Sequence, residues 1–403
     1  MVKHYPVCVR PKHHLRTLLC FALLILLFCL AASDLDAAMS AGEVDDAMTR
    51  GYTAIKAGDF EAAKVIFASV VQDAASSPRA PEAMLTLGNL RLKTDSTTAT
   101  STYSSLVNLY PDTSQAGTAH YRLGLLGMRT KHLHDARDAF LSAAGNKNIS
   151  DLDRGQASLQ AGFVDIMKYL ADEFWDRADD GVPYLVKPEA DDRNGFLESA
   201  RAQFEATEEQ FARSKDPTIA AVAAAALGEI YLLSGKPAFA EVAYRRVLDA
   251  YGSVPDRLVT LARYGLGQAL YGQKNLDGAL VEFDEALSKF TPGSLPISMI
   301  GFQVAPKSAV GDMHAWKVLS LYGLKRFDDA LSAAREARTE MEKDSELRDR
   351  AVGMDIWEGV ILCQTDRKAE GLTILQSVID EHPNTPYADR ARSLIAQFEE
   401  GVN

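Results

Sequence analysis

Eight times along this chain a small residue is followed four positions later by a second apolar residue, usually aromatic, and three positions after that by a third. The triplets are Ala63/Phe67/Val70, Ala99/Tyr103/Leu106, Ala136/Phe140/Ala143, Ala200/Phe204/Thr207, Ala240/Tyr244/Val247, Ala279/Phe283/Ala286, Ala330/Ala334/Ala337 and Gly371/Leu375/Val378. A second marker precedes most of them. Gly51, Gly124, Gly228, Gly267 and Gly359 each stand 12 residues before their small residue, and Gly88 stands 11 before Ala99. Turn-like stretches lie between the two markers, as in "KAGDF", "TKHLH", "LSGKPAF", "GQKNL" and "GLKRF".

Residues four and three apart share one face of a helix. A small residue on that face lets a second helix approach closely, and the aromatic beside it is expected to fill the space toward the following pair. The upstream glycine lowers helix propensity by about 1 kcal/mol, so close packing must offset it. Each unit is then a helical hairpin that cannot bury its apolar face alone, and stacking hairpins buries a continuous core. With 47% apolar and 24% charged residues and no long polar tract, the chain has the material for that core. The pattern predicts an all-α fold, an α-solenoid of stacked antiparallel helix pairs.

The unit resembles the tetratricopeptide repeat. The resemblance rests on Leu87-Gly88, Leu123-Gly124, Leu227-Gly228 and Leu266-Gly267, on Tyr231 one turn after Gly228, on the small and aromatic residues of the second helix, and on Pro111 and Pro383. It covers roughly residues 43–399 and implies a superhelix of that family's type. Successive small residues are 36, 37, 64, 40, 39, 51 and 41 apart, against a usual family period of about 34. The longer links "LYPDTSQAG" and "EHPNTPYAD" look like those of bacterial envelope repeat proteins. Examples are the cell-division coordinator that works with the Tol–Pal system and the outer-membrane assembly lipoprotein. In the second link Thr385 is placed to cap a helix with Pro386 at its first position.

The spacings divide the chain. Repeats one to three occupy 43–150, and a divergent fourth occupies 151–215, with first helix Gln156–Phe174 and an insertion at 175–195. Repeats five and six occupy 216–292, an insertion loop follows at 293–312 (beginning in "TPGS" at 291), and repeats seven and eight with a capping helix fill 313–403. Both insertions carry apolar residues, Trp175, Val182 and Tyr184 in one and Ile297, Met299, Ile300 and Phe302 in the other. Long loops on such a scaffold often carry function. An enzyme or ligand-binding protein with a site built by 175–195 and 291–312 is therefore an alternative reading.

Residues 1–38 read as an export signal. Lys3, Arg10, Lys12 and Arg16 precede an apolar run of 15 residues, Leu18–Ala32, and small residues follow. The run is shorter than the roughly 18–20 residues of a spanning helix. A cleaved signal gives a periplasmic protein; an uncleaved one gives an inner-membrane anchor with the repeats facing the periplasm, and membrane contact is expected only then. These residues hold four of the 43 basic and two of the 55 acidic side chains, so without them the net charge moves from −12 to −14. So acidic a surface disfavours nucleic acid as a partner. Three of the four cysteines also lie there, leaving Cys363, which cannot form an internal disulfide.

Catalytic apparatus is sparse. His132 and His134 are two apart and do not share a helix face as metal ligands would. "GEIYLLSGKP" lacks the spacing of a phosphate loop, and no nucleophile elbow or zinc-protease motif occurs. The expectation is a non-enzyme without cofactor or metal. It would act as a scaffold for protein or peptide partners of the cell envelope, in envelope assembly or cell division.

In the family this chain resembles, the first helices line a groove that holds a partner. Registering each unit on its glycine places Tyr52, Lys56, Asn89, Lys93, Tyr121 and Arg129 there in the first three units. Glu229, Tyr264, Gln268, Tyr271 and Tyr322 take those positions later. Lys56, Lys93 and Arg129 stand out in an acidic chain and would suit an acidic segment or free carboxylate, with tyrosines as flat contacts. They equally suit helix ends, where cations favour the dipole.

Overall fold

The computed structural model describes residues 39–170, 194–251, 254–289, 306–343 and 347–400. Among these residues there are seventeen α-helices and no strand. The chain divides into two compact units, 1–119 and 120–403. In the first, α1 (Ala41–Lys56) pairs with α2 (Phe60–Asp73) and α3 (Ala80–Leu92) with α4 (Ser96–Leu109); α5 (Ser114–Arg129) crosses the division. In the second, α6 (Leu133–Gly145) leads to α7 (Asp151–Leu170) with α8 (Asn194–Phe211). The pairs α9 (Thr218–Leu233) with α10 (Pro237–Asp249) and α11 (Asp256–Gly272) with α12 (Leu276–Lys289) follow. Next come α13 (Pro306–Gly323) with α14 (Phe327–Glu342) and α15 (Arg348–Cys363) with α16 (Lys368–Glu381), and α17 (Pro386–Glu400) closes the series. Within this unit each helix packs on the next in the chain from α6 onward, and first helices such as α9 and α11 also touch.

Local chemistry sets the ends. Ser40 and Glu43 form a capping box on α1, with Ser40 N–H donating to Glu43 Oε2 at 2.8 Å. Asp59 and Asp95 cap α2 and α4 by accepting from the backbones of Ala62 and Thr97 at 3.0 and 2.8 Å. Thr385 accepts from the Ala388 backbone ahead of Pro386, as the sequence predicts.

Five turns inside pairs share one device. Gly58, Lys131, Gly235, Lys274 and Lys325 each lie five residues before the small residue of their triplet, and all have φ between 56° and 79°. The next N–H reaches back five residues to close the helix, as in Asn275 N–H to Leu270 O at 2.9 Å and Arg326 N–H to Leu321 O at 3.0 Å. Lysine at three of these positions accepts a left-handed conformation that glycine enters without penalty.

The aromatic of each triplet sits differently from expectation. It lies over the glycine of its own pair, not only toward the following one. A methyl group added at Gly51 would stand 2.7 Å from Phe67 Cζ, and one at Gly267 would stand 2.5 Å from Phe283 Cε1. Gly88, Gly124, Gly228 and Gly359 face Tyr103, Phe140, Tyr244 and Leu375 in the same way. The aromatic ring occupies the volume that a side chain on the first helix would need, which is why the glycine recurs. The rings at Phe67, Tyr103, Phe140, Phe204 and Phe283 are fully buried.

The fourth unit obeys the same rule through Gly162, where an added methyl would stand 2.6 Å from Phe204 Cζ. The insertion between its helices had hidden this partnership. Its first helix begins at Asp151, not Gln156, because Ser150 accepts from the Asp153 backbone at 3.1 Å and opens the helix earlier. The expected extension to Phe174 and most of the insertion 175–195 lie outside the described residues, as do residues 1–38, the stretch 290–305 and the apolar residues named in both insertions. The expected loop to residue 312 is corrected: Pro306–Asp312 form the first turns of α13, with Pro306 at the first helical position, which its ring favours. Cys363 is buried.

Candidate functional site

In each unit the candidate residues lie on first helices or just past their ends. In the first unit Tyr52 on α1 donates its hydroxyl to Glu82 Oε1 on α3 at 2.7 Å, and its ring meets Phe67 edge-on with centroids 5.3 Å apart. Burial pushes its phenol above the usual tyrosine range, so it stays a neutral donor. Asn89 accepts from Tyr103 at 2.8 Å, which satisfies the one polar atom of a ring lodged against Gly88. Lys56 is exposed at the end of α1, and Lys93, just past α3, holds its ammonium 3.9 Å from the Phe60 ring centroid. The Lys93 charge therefore has an aromatic partner from its neighbouring pair.

Arg129 ends α5 and is exposed, while Lys56 and Lys93 belong to the first unit. In the second unit the half-buried tyrosines each spend one ring surface on the core. Tyr121 meets Phe140 at 5.4 Å, Tyr271 meets Trp316 at 5.0 Å, and Tyr322 meets Phe327 at 5.7 Å and Trp357 at 6.0 Å. All three phenols are raised by burial.

Tyr264 and Gln268 are brought together, with Gln268 Nε2 donating to Tyr264 Oη at 3.1 Å. Nearby, Tyr244 donates to Glu229 Oε2 at 3.2 Å, and burial raises the carboxyl of Glu229. Burial, then the charge on Asp312, holds the Tyr264 phenol well above its usual range. Asp312 on α13 pairs with Arg350 on α15 at 3.1 Å. Sequence reasoning missed this pair because Asp312 fell in the expected loop. Its signal was the Pro-x-x-Ala start of a helix.

His132 and His134 are exposed; His132 Nδ1 lies 2.9 Å from Thr130 Oγ1. Among the described residues no group of three or more His, Cys, Asp or Glu is placed to hold a metal. No helix among them is long and apolar enough to cross a membrane.

Two tetratricopeptide-repeat family models match the chain, one at residues 226–294, which spans α10–α12, and one at residues 82–113, across α3 and α4. No curated protein shows a significant sequence match. Among solved structures, the apo form of RapI is 13% identical over 89% of this chain and 98% of its own, with a TM-score of 0.49. A signal-transduction ATPase with a tetratricopeptide repeat sensor from Pyrococcus horikoshii is 14% identical with a TM-score of 0.54. That likeness covers 88% of this chain and 54% of the ATPase, and it shows the fold.

Proposed function

We propose that this chain, which carries tetratricopeptide repeats at 82–113 and 226–294, is an exported scaffold of the bacterial cell envelope. Tetratricopeptide repeats imply protein–protein interaction. The observation that carries the reading is the register of Tyr264, Gln268, Tyr271 and Tyr322. Each lies on a first helix and is held by a neighbour: Gln268 donates to Tyr264, Tyr271 meets Trp316, and Tyr322 meets Phe327 and Trp357. Tyrosines held this way lose little conformational entropy when a partner arrives. Export is supported by the basic, apolar and small-residue succession of 1–38, and the periplasm by the envelope-like Pro-Asp-Thr and Pro-Asn-Thr links. Within the envelope, assembly or cell division are the tasks for which scaffolds with such links are suited, and no catalytic step is assigned to the chain.

Photocrosslinkers at Tyr271 and at Lys93, introduced in intact cells, test the reading. Specific capture of envelope proteins from Tyr271 is expected; a chain that captures nothing from either position would sink it. Mass spectrometry of the mature N-terminus is expected to show loss of Leu18–Ala32, and its retention would convert the periplasmic reading into the anchored one.

A further inference from the structure

Between α8, α9 and α10 lies a cavity of about 300 Å³ that no first-helix groove residue lines. Its size is at the lower end of small-ligand sites and suits one long side chain. Glu205, Glu208 and Glu209 face it from α8, with Tyr231 from α9, and Arg246 and Tyr251 complete the rim. Glu208 is fully engaged: it accepts from Arg246 Nη2 at 3.0 Å and from Tyr251 Oη at 2.9 Å. Burial, then this carboxylate, pushes the Tyr251 phenol up to about 12, so it remains a donor. Glu205 Oε1 accepts from Arg201 Nη1 at 2.7 Å and from the Tyr231 hydroxyl at 3.5 Å. Among the described residues, its other oxygen and both oxygens of Glu209 accept no bond. Three carboxylates thus line the rim with one guanidinium among them, while Arg201, outside the lining, pairs with Glu205.

A separate feature adjoins one lining residue, Tyr231. Phe239, 60% exposed, lies beside Tyr231 with ring centroids 5.5 Å apart. A large apolar ring held in water at the lip of an acid-walled cavity calls for an occupant that is apolar at one point and cationic at the next. A second copy of this chain, with its net charge of −12, brings the wrong sign. A bare metal ion would leave Phe239 uncovered.

We infer that this cavity takes a lysine or arginine side chain from a partner's segment while an adjoining apolar residue of that segment covers Phe239. The inference rests on the scaffold reading and adds to it a second docking point, with its own charge preference, lined by none of the groove residues named from sequence. A carboxylate wall selects the cation, the Tyr231 face adds cation–π attraction, and Phe239 supplies buried area.

The test is fluorescence anisotropy on the full chain with labelled Leu-Phe peptides carrying arginine, citrulline or glutamate beside the apolar pair. Arginine is expected to bind about tenfold more tightly than citrulline at low salt, and glutamate more weakly than either. Glu205→Gln with Glu209→Gln should erase that preference, and Phe239→Ala should weaken all three peptides; these side chains are exposed enough for the fold to survive. Equal binding of arginine and citrulline, or a preference that persists in the double variant, overturns the inference. If the double variant and Phe239→Ala still capture the same protein through Tyr271 while no arginine preference exists in the parent, the scaffold stands and this docking point falls. Absence of both capture and peptide binding removes both.

Discussion

The sixth and seventh pairs solve one packing problem with opposite residues. In α11–α12, glycine stands at 267 and phenylalanine at 283; in α13–α14 the same two registers hold Val318 and Ala334. All four are buried. The larger side chain moves from the second helix to the first, and the space between the helices is still filled. The lesson is that the repeat conserves a summed volume, not a residue, so a pattern that looks broken in sequence is intact in packing.

The comparison can be broken most severely by emptying the sixth pair. Phe283→Ala is expected to cost about 3–5 kcal/mol, read as a lower urea midpoint with loss of hydrogen-exchange protection across α11 and α12. Ala334→Gly in the seventh pair should cost far less, and equal losses would refute the claim that the ring fills the sixth. Next in size, Gly267→Ala forces a methyl into Phe283 and should cost about 1–3 kcal/mol. Combining Gly267→Val with Phe283→Ala rebuilds the arrangement of the seventh pair, and the double variant should be more stable than the sum of its single losses. Simple additivity would show that the two registers do not share one space.

A smaller effect distinguishes the seams. The sixth pair is bridged internally by Arg263 and Glu282 at 2.8 Å and tied to α13 by Asp284 to Lys317 at 2.8 Å, while the seventh is tied to α15 by Arg338 to Asp355 at 2.8 Å and Arg335 to Glu358 at 2.6 Å. Burial raises the Asp355 carboxyl to about 6; Arg338 opposes this, while Glu358, Glu342 and Glu381 add to it. A carboxyl raised above its unfolded value near 3.8 binds its proton more readily when folded. Its contribution therefore grows as pH falls from about 6 toward 4 and is lost as pH rises through 6. His314 on α13, held down to about 4 by burial, acts with the opposite sign between 6.5 and 4. The measurement is thus the difference between wild type and Asp355→Asn. The variant should be the more stable at pH 7.5, by on the order of 1 kcal/mol, and the gap should close by pH 4.5. A gap independent of pH would exclude titration of Asp355 as its source.

The smallest expected effect compares the turns. Lys274→Gly in the sixth pair and Lys325→Gly in the seventh should each stabilise by up to about 1 kcal/mol, because a lysine at positive φ is strained and a glycine is not. Gly235→Lys in the fifth should destabilise by a similar amount, and a neutral result at all three would show that the turn stores no strain.

Much of this was legible in the residues. The triplets marked the second helices, the six glycines marked the first, and Thr385-Pro386 marked the start of α17, because each signal is local and helical periodicity reports it directly. Gly162 escaped notice because the insertion separated it from Phe204, so a fixed offset could not find it. Residues 306–312 escaped because a proline after a loop reads the same whether the loop continues or a helix begins. On the candidate face, sequence registered which residues share the first helices but not how their rings are used. That Tyr271 leans on Trp316, or that Lys93 sits over Phe60, depends on the neighbouring pair.

Chain order alone determined that the molecule would be helical hairpins with small residues at their contacts, since periods of four and three persist in any helix regardless of surroundings. Only tertiary packing decided which side chain fills each gap, whether glycine opposes phenylalanine or valine opposes alanine, and that three glutamates line one cavity whose Tyr231 touches an exposed ring. Volumes and charges are matched across space, between helices whose separation along the chain carries no record of the match.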